Sequence, residues 1–386
     1  MRITVATGTR ADWGLLSPLA RALDKLPGFD VSILATNMHL LQQFGNTLSE
    51  IEADGFDIAA RVPMPGGDTP ADRAVAMGVC LEGSARELAR LQPDLLLILG
   101  DRYEMLAIAS AATMLGIPIA HLHGGELTYG AIDDNIRHAI SKLSALHFTS
   151  TEKARQRLIA MGEQPSRVIN TGAIGVWNFC NFKPMPKTEI EASLNISLDR
   201  PTLLATFHPA TLDPADPTIR CRAMLEALDS FADRQLIITY PNNDSRSQGI
   251  INEIEAYTAA NPQRVLTVRS LGLRCYQSIL PYVEAVIGNS SSGILEVPSA
   301  GIPTVNIGMR QDGRDRAPSV IDCGDSADDI RRAIARALSP EFRDIAAKAC
   351  NPYYRPDTLT LMVNAITSCD PEALKTKKFH HICTDR

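Results

Sequence analysis

A segment in the first half of the chain concentrates side chains that can carry protons or bind a metal. The sequence HLHGGELTYGAIDDNIRHAI, residues 121–140, holds three of the eight histidines of the protein. It also holds four charged side chains, Glu126, Asp133, Asp134 and Arg137. Histidines and carboxylates serve in acid–base catalysis and as metal ligands. His121 and His123 could share a metal with Glu126, but they face the same side only where a strand extends past both of them. We therefore expect no metal ion here.

Two further polar groups follow predicted strands in the first half of the chain. Gly8, Thr9 and Arg10 form a short turn before a helix, whose free N–H groups could bind an anion together with the arginine. Asp101 directly follows the predicted strand at residues 94–100. The structural alternatives are a capping turn with a solvated arginine and, at Asp101, a simple helix cap. We expect Arg10 to contact a phosphate and Asp101 to take part in the chemistry.

The second half of the chain carries a similar pattern in VIGNSSSGILEVPSAG, residues 286–301. A strand is predicted to end near Gly288, and three hydroxyl groups and a glycine then precede a helical pattern that continues through Glu296. Hydroxyl and free N–H groups at a helix start suit a phosphate, and Glu296 could reach ribose hydroxyls. The alternative is a helix cap with more hydroxyls than it needs. His208, followed by Pro209, ends another predicted strand.

These groups follow strands that recur in two sets along the chain. The runs are residues 2–7, 29–36, 94–100, 117–123 and 145–150, then 202–208, 235–240, 264–269, 284–289 and 303–308. Helical patterns lie between them, as at 71–91, 103–115 and 132–144. Apolar strands separated by helices indicate parallel sheets covered on both faces, which bind ligands at the carboxyl ends of their strands. The polar segment 181–193, with two prolines, predicts a hinge between two doubly wound α/β domains.

Composition and the absence of common motifs exclude several classes of protein. The 386 residues are 45% hydrophobic and 21% charged, and the net charge of −6 argues against non-specific binding to nucleic acid or an anionic membrane. No apolar run could span a bilayer and the first residues lack signal-peptide features, so we expect a cytoplasmic protein. The eight cysteines include no Cys-x-x-Cys pair, so we expect neither disulfides nor a zinc ribbon. Dinucleotide, P-loop and D-x-D motifs are absent, so we expect no cofactor and no metal-dependent sugar transferase.

Seven motifs together resemble the UDP-N-acetylglucosamine 2-epimerase family, in the order in which that family has them. They are GTRADWGLL, GDRYEML, HLHGGELTYGAIDDNIRHAISKLSALHFTST, FHPAT, YPNND, GNSSSGILEVP and VNIGMRQDGR. The resemblance covers about residues 2–355. It is closer to the hydrolysing branch, which supplies N-acetylmannosamine-type sugars for sialic, legionaminic and related nonulosonic acids.

The resemblance implies a GT-B architecture, with two Rossmann-like doubly wound domains and the active site in the cleft. The implied N-terminal domain, residues 1–180, carries the sugar and catalytic side, and the implied C-terminal domain, residues 181–355, binds UDP. A C-terminal helix at about 356–378 is expected to rejoin the first domain. The implied partners are a UDP-sugar substrate and a second copy of the chain, with neither nucleic acid nor membrane.

The reaction of the family accounts for the crowded segment at 121–140. It removes the C2 proton of the sugar and expels UDP to give a 2-acetamidoglucal, and water then adds at C1 with inversion at C2. Such steps need a base and an acid near C2, and cationic or N–H donors at the departing diphosphate. By motif match, the implied catalytic residues are Asp101, His123, Glu126, Asp133, Asp134 and His208. The implied substrate-binding residues are Arg10, His39, Arg102, Arg137, Asn242, Ser290, Ser291, Gly293, Glu296 and Arg310.

Two residues depart from the pattern of many relatives. The sequence HLHGG stands where many relatives have H-V-E-A-G, so His123 occupies the position of a catalytic glutamate. Either His123 takes over the acid–base role, which the solution pKa of a histidine permits, or Glu126 shares it. Leu15 stands where many relatives have a lysine. Both departures resemble the branch that makes sialic and legionaminic acid precursors and argue against a non-hydrolysing epimerase.

The sequence leaves the sugar open between two candidates. The first choice is UDP-N-acetylglucosamine, and the alternative is UDP-N,N′-diacetylbacillosamine, which lacks the 6-hydroxyl and carries an N-acetyl group at C4. A GT-B glycosyltransferase would share the nucleotide site but would require an acceptor and would not need the cluster at 121–138. A non-catalytic sensor of nucleotide sugars would not need paired carboxylates.

Overall fold

The computed structural model describes residues 1–41, 47–67, 69–129, 132–209, 215–241 and 246–381. The chain forms two compact units. The first comprises Met1–Glu126, Ile132–Asn178 and Arg355–Arg386, and the second comprises Leu127–Ala131 and Phe179–Tyr354. Each unit is built on one parallel sheet.

Seven strands form the sheet of the first unit. They are β1 (Arg2–Thr7), β2 (Asp30–Thr36), β3 (Ile58–Val62), β4 (Leu95–Leu99), β5 (Ile119–Leu122), β6 (Leu146–Thr149) and β7 (Val168–Asn170). Their order across the sheet is β3-β2-β1-β4-β5-β6-β7. Because β1 pairs with β4, with Ile3 beside Leu95, the turns that follow these two strands lie next to each other despite their distance in sequence.

Helices cover both faces of this sheet. The chain runs through α1 (Arg10–Asp24), α2 (Leu48–Ala53), α3 (Pro70–Leu91), α4 (Tyr103–Met114), α5 (Asp133–Leu143), α6 (Glu152–Ala160) and α7 (Ile174–Asn181). Alternate residues of β4 enter two separate cores: Leu95 and Leu97 pack in one, and Leu96 and Ile98 pack in the other. Burial on both faces explains why the strand is apolar throughout.

The second unit repeats the plan with six parallel strands. They are β8 (Thr202–Thr206), β9 (Gln235–Thr239), β10 (Val265–Val268), β11 (Ala285–Gly288), β12 (Thr304–Ile307) and β13 (Val320–Cys323), in the order β10-β9-β8-β11-β12-β13. The helices are α8 (Lys187–Leu194), α9 (Pro217–Asp229), α10 (Ser247–Ala260), α11 (Gly272–Ile279), α12 (Ser292–Leu295), α13 (Ala327–Ala337) and α14 (Pro340–Ala347). Leu203 and Leu204 again enter two different cores.

Two C-terminal helices, α15 (Thr358–Ser368) and α16 (Pro371–Lys375), belong to the first unit. Met362 and Ile366 of α15 and Leu374 of α16 are buried in the core that also contains residues of α1. The hydroxyl of Thr358 donates a hydrogen bond of 2.6 Å to the backbone oxygen of Thr171. No helix of the described residues is long and apolar enough to cross a membrane.

The predicted α/β class with two parallel sheets is confirmed, and all ten predicted strands are present. Three short strands, β3, β7 and β13, were not predicted. Within the segment 181–193, where a hinge is predicted, α8 begins at Lys187. The helix expected to run through Glu296 is shorter than predicted: α12 ends at Leu295, and a 3-10 turn, Val297–Ala300, follows it.

Candidate active site

The turn after β4 presents Asp101 to an arginine of α5. Gly100 precedes it with a φ of 78°, a left-handed conformation that glycine adopts without strain. Oδ2 of Asp101 accepts a hydrogen bond from Nε of Arg137 at 3.0 Å and a second one from Nη2 of the same guanidinium. This pairing joins the end of β4 to α5 through two charge-assisted hydrogen bonds, which are stronger than hydrogen bonds between neutral groups.

Arg137 is 2% exposed and organises the polar groups around it. Its Nη1 donates to the backbone oxygen of Glu126 at 2.8 Å and to Oδ1 of Asp134 at 3.2 Å. Burial acts against the charge, but Asp101 and Glu126 raise the pKa of Arg137, so the guanidinium remains charged. A buried cation therefore holds two carboxylates at the carboxyl end of the first sheet.

Asp133 is the first residue of α5, where the helix dipole favours a negative charge. Burial, and then the neighbouring charge of Asp101, raise the pKa of the Asp133 carboxyl group. A carboxylic acid with a raised pKa is suited to give up or accept a proton closer to neutral pH. The start of α5 thus contributes Asp133, Asp134 and Arg137 to one charged cluster.

The loop after β5 carries His123 and Glu126. His123 has a φ of 65°, which is unusual for a residue with a side chain, and its backbone N–H donates to the oxygen of Phe148 at 2.8 Å. Nδ1 of the imidazole lies 3.2 Å from Oε1 of Glu126. Among the described residues, the buried Nε2 atom of His123 has no hydrogen-bond partner. The two candidates for the acid–base role are therefore in contact with each other.

Gly124 and Gly125 let this loop lie directly on two helices. A Cβ atom on Gly124 would stand 2.7 Å from Oγ of Ser141 in α5, and one on Gly125 would stand 2.5 Å from the backbone oxygen of Ala154 in α6. Gly125 also has a φ of 80°. A side chain at Gly124 would push the loop, and the two candidate acid–base groups that it carries, away from α5, and one at Gly125 would push it away from α6.

A second charged cluster lies where β1 and β4 end side by side. Nε of Arg102 lies 2.5 Å from Oε1 of Glu104, a carboxylate that is 0% exposed. Burial raises the pKa of Asp12 to about 6 against the opposing charge of Arg102, and Asp12 accepts a hydrogen bond of 3.2 Å from the N–H of Gly8. The sequence motifs identify Arg102 but not Asp12 and Glu104. Both follow an arginine of a motif closely, yet their burial depends on the pairing of β1 with β4.

Arg10 and His39 occupy contrasting positions in the first unit. The Arg10 side chain is 70% exposed, and its Nε lies 3.0 Å from Oε1 of Glu50. His39 is 0% exposed, with Nε2 at 3.0 Å from the hydroxyl of Thr7 and Nδ1 at 2.7 Å from that of Thr47. Burial lowers the pKa of His39 to about 4. His39 is thus a neutral residue with both ring nitrogens engaged beneath the surface.

The second unit assembles polar groups after β8, β11 and β12. Gly288 has a φ of 135°, and a Cβ atom there would stand 1.8 Å from the backbone oxygen of Thr206, so only glycine fits. The amide of Asn289 accepts from the N–H of His208 at 2.7 Å and donates to its oxygen at 2.8 Å. Nη1 of Arg310 donates to the oxygen of Asn289 at 3.0 Å. Asn289 therefore connects the ends of β8, β11 and β12 through hydrogen bonds. The sequence motifs do not single out this residue.

A pocket in the second unit includes His208 and Arg310 in its lining. Other lining residues include Phe207, Arg220, Asn289, Gly308 and Met309. His208 is 6% exposed, and burial, followed by the charge of Arg310, lowers the pKa of its imidazole to about 3. A neutral histidine and a guanidinium at one pocket can donate hydrogen bonds to an anion.

The hydroxyl-rich turn after β11 places the remaining predicted residues of the second unit. Ser290 and Ser291 are partly buried ahead of α12, and Glu296 follows its last residue. Gly293 packs on β12, where a Cβ atom would stand 2.8 Å from Cγ2 of Thr304. Asn242 lies outside the described residues.

The structure does not support the metal alternative within the residues it describes. No group of three or more histidine, cysteine, aspartate or glutamate side chains there could hold a metal ion. Both ring nitrogens of His121 face protein partners, with Nε2 at 2.7 Å from the oxygen of Gly100 and Nδ1 at 3.2 Å from Oγ of Ser141.

Known proteins resemble this chain over most of its length. A protein from Campylobacter jejuni, named GDP/UDP-N,N′-diacetylbacillosamine 2-epimerase (hydrolyzing), is 38% identical over 344 residues, which are 89% of this chain and 88% of that protein. The polysialic acid biosynthesis protein P7 of Escherichia coli is 34% identical over 95% of this chain and 92% of its own length.

Solved structures share the fold. The structure of UDP-GlcNAc 2-epimerase from Neisseria meningitidis bound to UDP-GlcNAc covers 96% of this chain and matches over 100% of its own length, with a TM-score of 0.81 at 17% identity. The two parallel sheets are thus those of the GT-B-like two-domain fold. Residues 21–367 match the sequence profile described as UDP-N-acetylglucosamine 2-epimerase. Because this profile covers most of the chain, the chain belongs to the UDP-N-acetylglucosamine 2-epimerase family.

Proposed function

We propose that the protein is a hydrolysing 2-epimerase that converts a UDP-linked 2-acetamido sugar and water into UDP and the free sugar with inverted C2. The observation that carries the proposal is the cluster in the first unit in which the buried Arg137 holds Asp101 and Asp134 beside the His123–Glu126 pair. A protein that only bound a nucleotide sugar would not need so many proton-carrying groups in contact.

The stereochemistry of the reaction explains why two kinds of acid–base group are present. In the first step, a base takes the C2 proton, the C–H electrons form the C1–C2 double bond, and the C1–O bond breaks to release UDP. In the second step, the electrons of the C1–C2 double bond take up a proton at C2 from the opposite face, the oxygen of water bonds to C1, and the water gives up one proton to a base. Because removal and return use opposite faces, we assign them to different groups: the His123–Glu126 pair on one side and the carboxylates of Asp101 and Asp133 on the other.

We assign the nucleotide to the second unit. The pocket lined by His208 and Arg310 offers cationic and neutral donors for a departing diphosphate, whose charge must be stabilised as the C1–O bond breaks. The hydroxyls of Ser290 and Ser291 follow the same strand end as Asn289 and would add hydrogen bonds to a phosphate. Glu296 would accept from the ribose hydroxyls.

For the sugar, we place N,N′-diacetylbacillosamine first, because the Campylobacter jejuni protein that is 38% identical to this chain is named for it. UDP-N-acetylglucosamine, favoured by the sequence analysis, is the second candidate, because the family profile carries its name. The free sugar released from either substrate would be a 2-acetamido sugar of the kind that enters nonulosonic acid biosynthesis, and the P7 protein, at 34% identity, is named for polysialic acid biosynthesis.

The test is to offer each UDP-sugar, and the GDP form of the first, to the purified protein without any acceptor. We expect release of the nucleoside diphosphate together with a free sugar epimerised at C2, fastest for one UDP-sugar. A UDP-linked epimer without UDP release would show a non-hydrolysing epimerase. Tight binding of the UDP-sugars with no turnover would show a sensor, and turnover only on addition of an acceptor would show a glycosyltransferase. The Asp101→Asn variant is the control, because we expect it to bind UDP and to lose turnover by roughly 10²-fold.

A further inference from the structure

His121 lies one strand residue before the end of β5 and is completely buried. The imidazole bridges two elements. Its Nε2 lies 2.7 Å from the backbone oxygen of Gly100 in the turn after β4, and its Nδ1 lies 3.2 Å from Oγ of Ser141 in α5. The side chain therefore connects the turn that precedes Asp101 to the helix that carries Arg137.

The protonation state of the ring follows from these partners. Burial lowers the pKa of His121 to about 3, so the imidazole is neutral near neutral pH. A neutral imidazole has one N–H and one lone pair, and a backbone oxygen can only accept a hydrogen bond. Nε2 therefore carries the hydrogen and donates to Gly100, while the lone pair of Nδ1 faces the hydroxyl of Ser141. Such a ring is not placed to carry a proton to a substrate, because it is completely buried and both of its nitrogens face protein groups.

The hydrogen bonds of His121 close a circuit around the Asp101–Arg137 pair. The single hydrogen of the Ser141 hydroxyl is shared between two acceptors, Nδ1 of His121 at 3.2 Å and the backbone oxygen of Arg137 at 2.9 Å, one helical turn earlier. Arg137 binds Asp101, whose preceding residue, Gly100, accepts the bond from His121. The circuit thus runs from Asp101 through Gly100, His121, Ser141 and Arg137 back to Asp101.

The circuit constrains a flexible point. Gly100 directly follows β4 and has a φ of 78°, and as a glycine its backbone has more conformations available than that of another residue. Its N–H is bound to the oxygen of Leu122 at 3.0 Å, and its oxygen is bound to His121. With both backbone groups fixed by β5, the direction in which the chain presents Asp101 is fixed as well.

We propose that His121 is a positioning residue, which sets the Gly100–Asp101 turn against α5 so that the Asp101 carboxylate stands in reacting geometry. The proposal rests on the proposed function, because Asp101 matters only if it takes part in the reaction. His121 touches neither the substrate nor the reacting atoms in this account; it acts through Asp101 and Arg137.

The chain offers a matched control on the neighbouring strand. His147 of β6 pairs in register with His121, is also completely buried, and has its pKa lowered by burial as well. Its Nε2, however, lies 3.1 Å from Oε2 of Glu163 rather than against the turn at Asp101. Replacing either histidine removes a buried polar group from the same sheet, but only one replacement loosens the circuit.

The experiment compares His121→Leu, His121→Gln and His147→Gln with the wild-type protein, using a UDP-sugar that the wild type turns over. We expect His121→Leu to lower kcat by roughly 10- to 100-fold, in line with misplacement of a reacting group by about 1 Å, while the Kd for UDP stays within about 2-fold. His121→Gln should recover at least about 3-fold of that loss, because its amide N–H can reach the oxygen of Gly100. His147→Gln should lower stability and leave kcat within about 2-fold of wild type.

Two kinetic results would overturn the proposal: equal loss of kcat in His121→Leu and His147→Gln, or a kcat in His121→Gln no higher than in His121→Leu. Nitrogen NMR of the histidine side chains gives a readout that needs neither turnover nor a folded variant. The wild-type protein should show a slowly exchanging Nε2–H signal of a neutral His121, unchanged from pH 5 to pH 8; a ring that titrates in that range contradicts the circuit. Wild-type protein that turns over no UDP-sugar would instead refute the proposed function.

Discussion

Replacement of Arg137 by methionine tests the buried guanidinium that holds the charged cluster of the first unit together. The guanidinium is 2% exposed and makes two hydrogen bonds to Asp101, one to Asp134 and one to the backbone oxygen of Glu126. Methionine fills similar space without charge, so the Arg137→Met variant leaves two carboxylates and a carbonyl without their shared donor. Removing one partner of a buried ion pair costs about 3–5 kcal/mol.

Partial exposure of the carboxylates reduces this cost. The side chains of Asp101 and Asp134 are 27% and 19% exposed, so water can replace part of what the guanidinium supplied. We therefore expect the free energy of unfolding of the first unit to fall by roughly 2–4 kcal/mol in Arg137→Met. Asp101→Asn in the Arg137→Met background should cost about 1–2 kcal/mol less than in the wild-type background, because the uncompensated charge is then removed.

Tryptophan fluorescence during urea unfolding measures the free energy of unfolding of the first unit. The chain has two tryptophans, Trp13 and Trp177, and both lie in the first unit. Arg86→Met is the matched control: the Arg86 side chain is 77% exposed and pairs with Glu82 on the surface of α3, so its loss should change stability by no more than about 0.5 kcal/mol. Two results would contradict the role of the Arg137 guanidinium. One is a loss of unfolding free energy in Arg137→Met no larger than in Arg86→Met, and the other is simple addition of the effects of Arg137→Met and Asp101→Asn.

Three further predictions concern the proton carrier, the phosphate and a buried carboxylate. If His123 carries the C2 proton, His123→Asn should abolish deuterium exchange at C2 while Glu126→Gln retains it; the opposite result assigns the proton to Glu126. Replacing both Ser290 and Ser291 by alanine should weaken UDP binding by about 1–3 kcal/mol in calorimetry, and unchanged affinity would leave the hydroxyls as helix caps. Burial would raise the pKa of Glu163, but hydrogen bonds from a histidine and two lysines lower it to about 2, below the 4.5 of an ordinary glutamate. The ionised Glu163 therefore contributes to stability above about pH 5, and this contribution is lost as the pH falls towards 2. Between pH 6 and pH 3, the urea midpoint of Glu163→Gln should fall less than that of wild type. Parallel curves for the two proteins would contradict this.

Much of the architecture follows from local pattern. The run at 95–99 is apolar because both faces of β4 are buried, and a polar residue that follows such a strand, as Asp101 does, lies at the carboxyl end of the sheet. Of the missed strands, β7 has only three residues, and Arg61 and Asp322 interrupt the apolar pattern of β3 and β13. The helix α8 was missed because prolines suggested a linker, whereas Pro186 stands at its start, where proline is tolerated.

The parts that could not be predicted depend on which strands become neighbours. Asp12 and Glu104 come together only because β1 pairs with β4, a pairing that neither motif specifies alone. A Cβ atom on Gly8 would stand 2.6 Å from Oε1 of Glu104, so this glycine leaves room for a carboxylate nearly a hundred residues away. For His39 the sequence resemblance identifies the residue but not its surroundings. Only the packing shows that Thr7 and Thr47 contact both of its ring nitrogens.

The most direct test of the account is the position of deuterium in the product of a single turnover in D₂O. The protein, in excess over its UDP-sugar, should release UDP and a free 2-acetamido sugar that carries one deuterium at C2, with the configuration at C2 inverted. That result requires loss of the original C2 proton and return of another from solvent on the opposite face. Free sugar that retains its original hydrogen and configuration at C2 would show simple hydrolysis of the glycosyl bond and would contradict the role proposed for the cluster around Arg137.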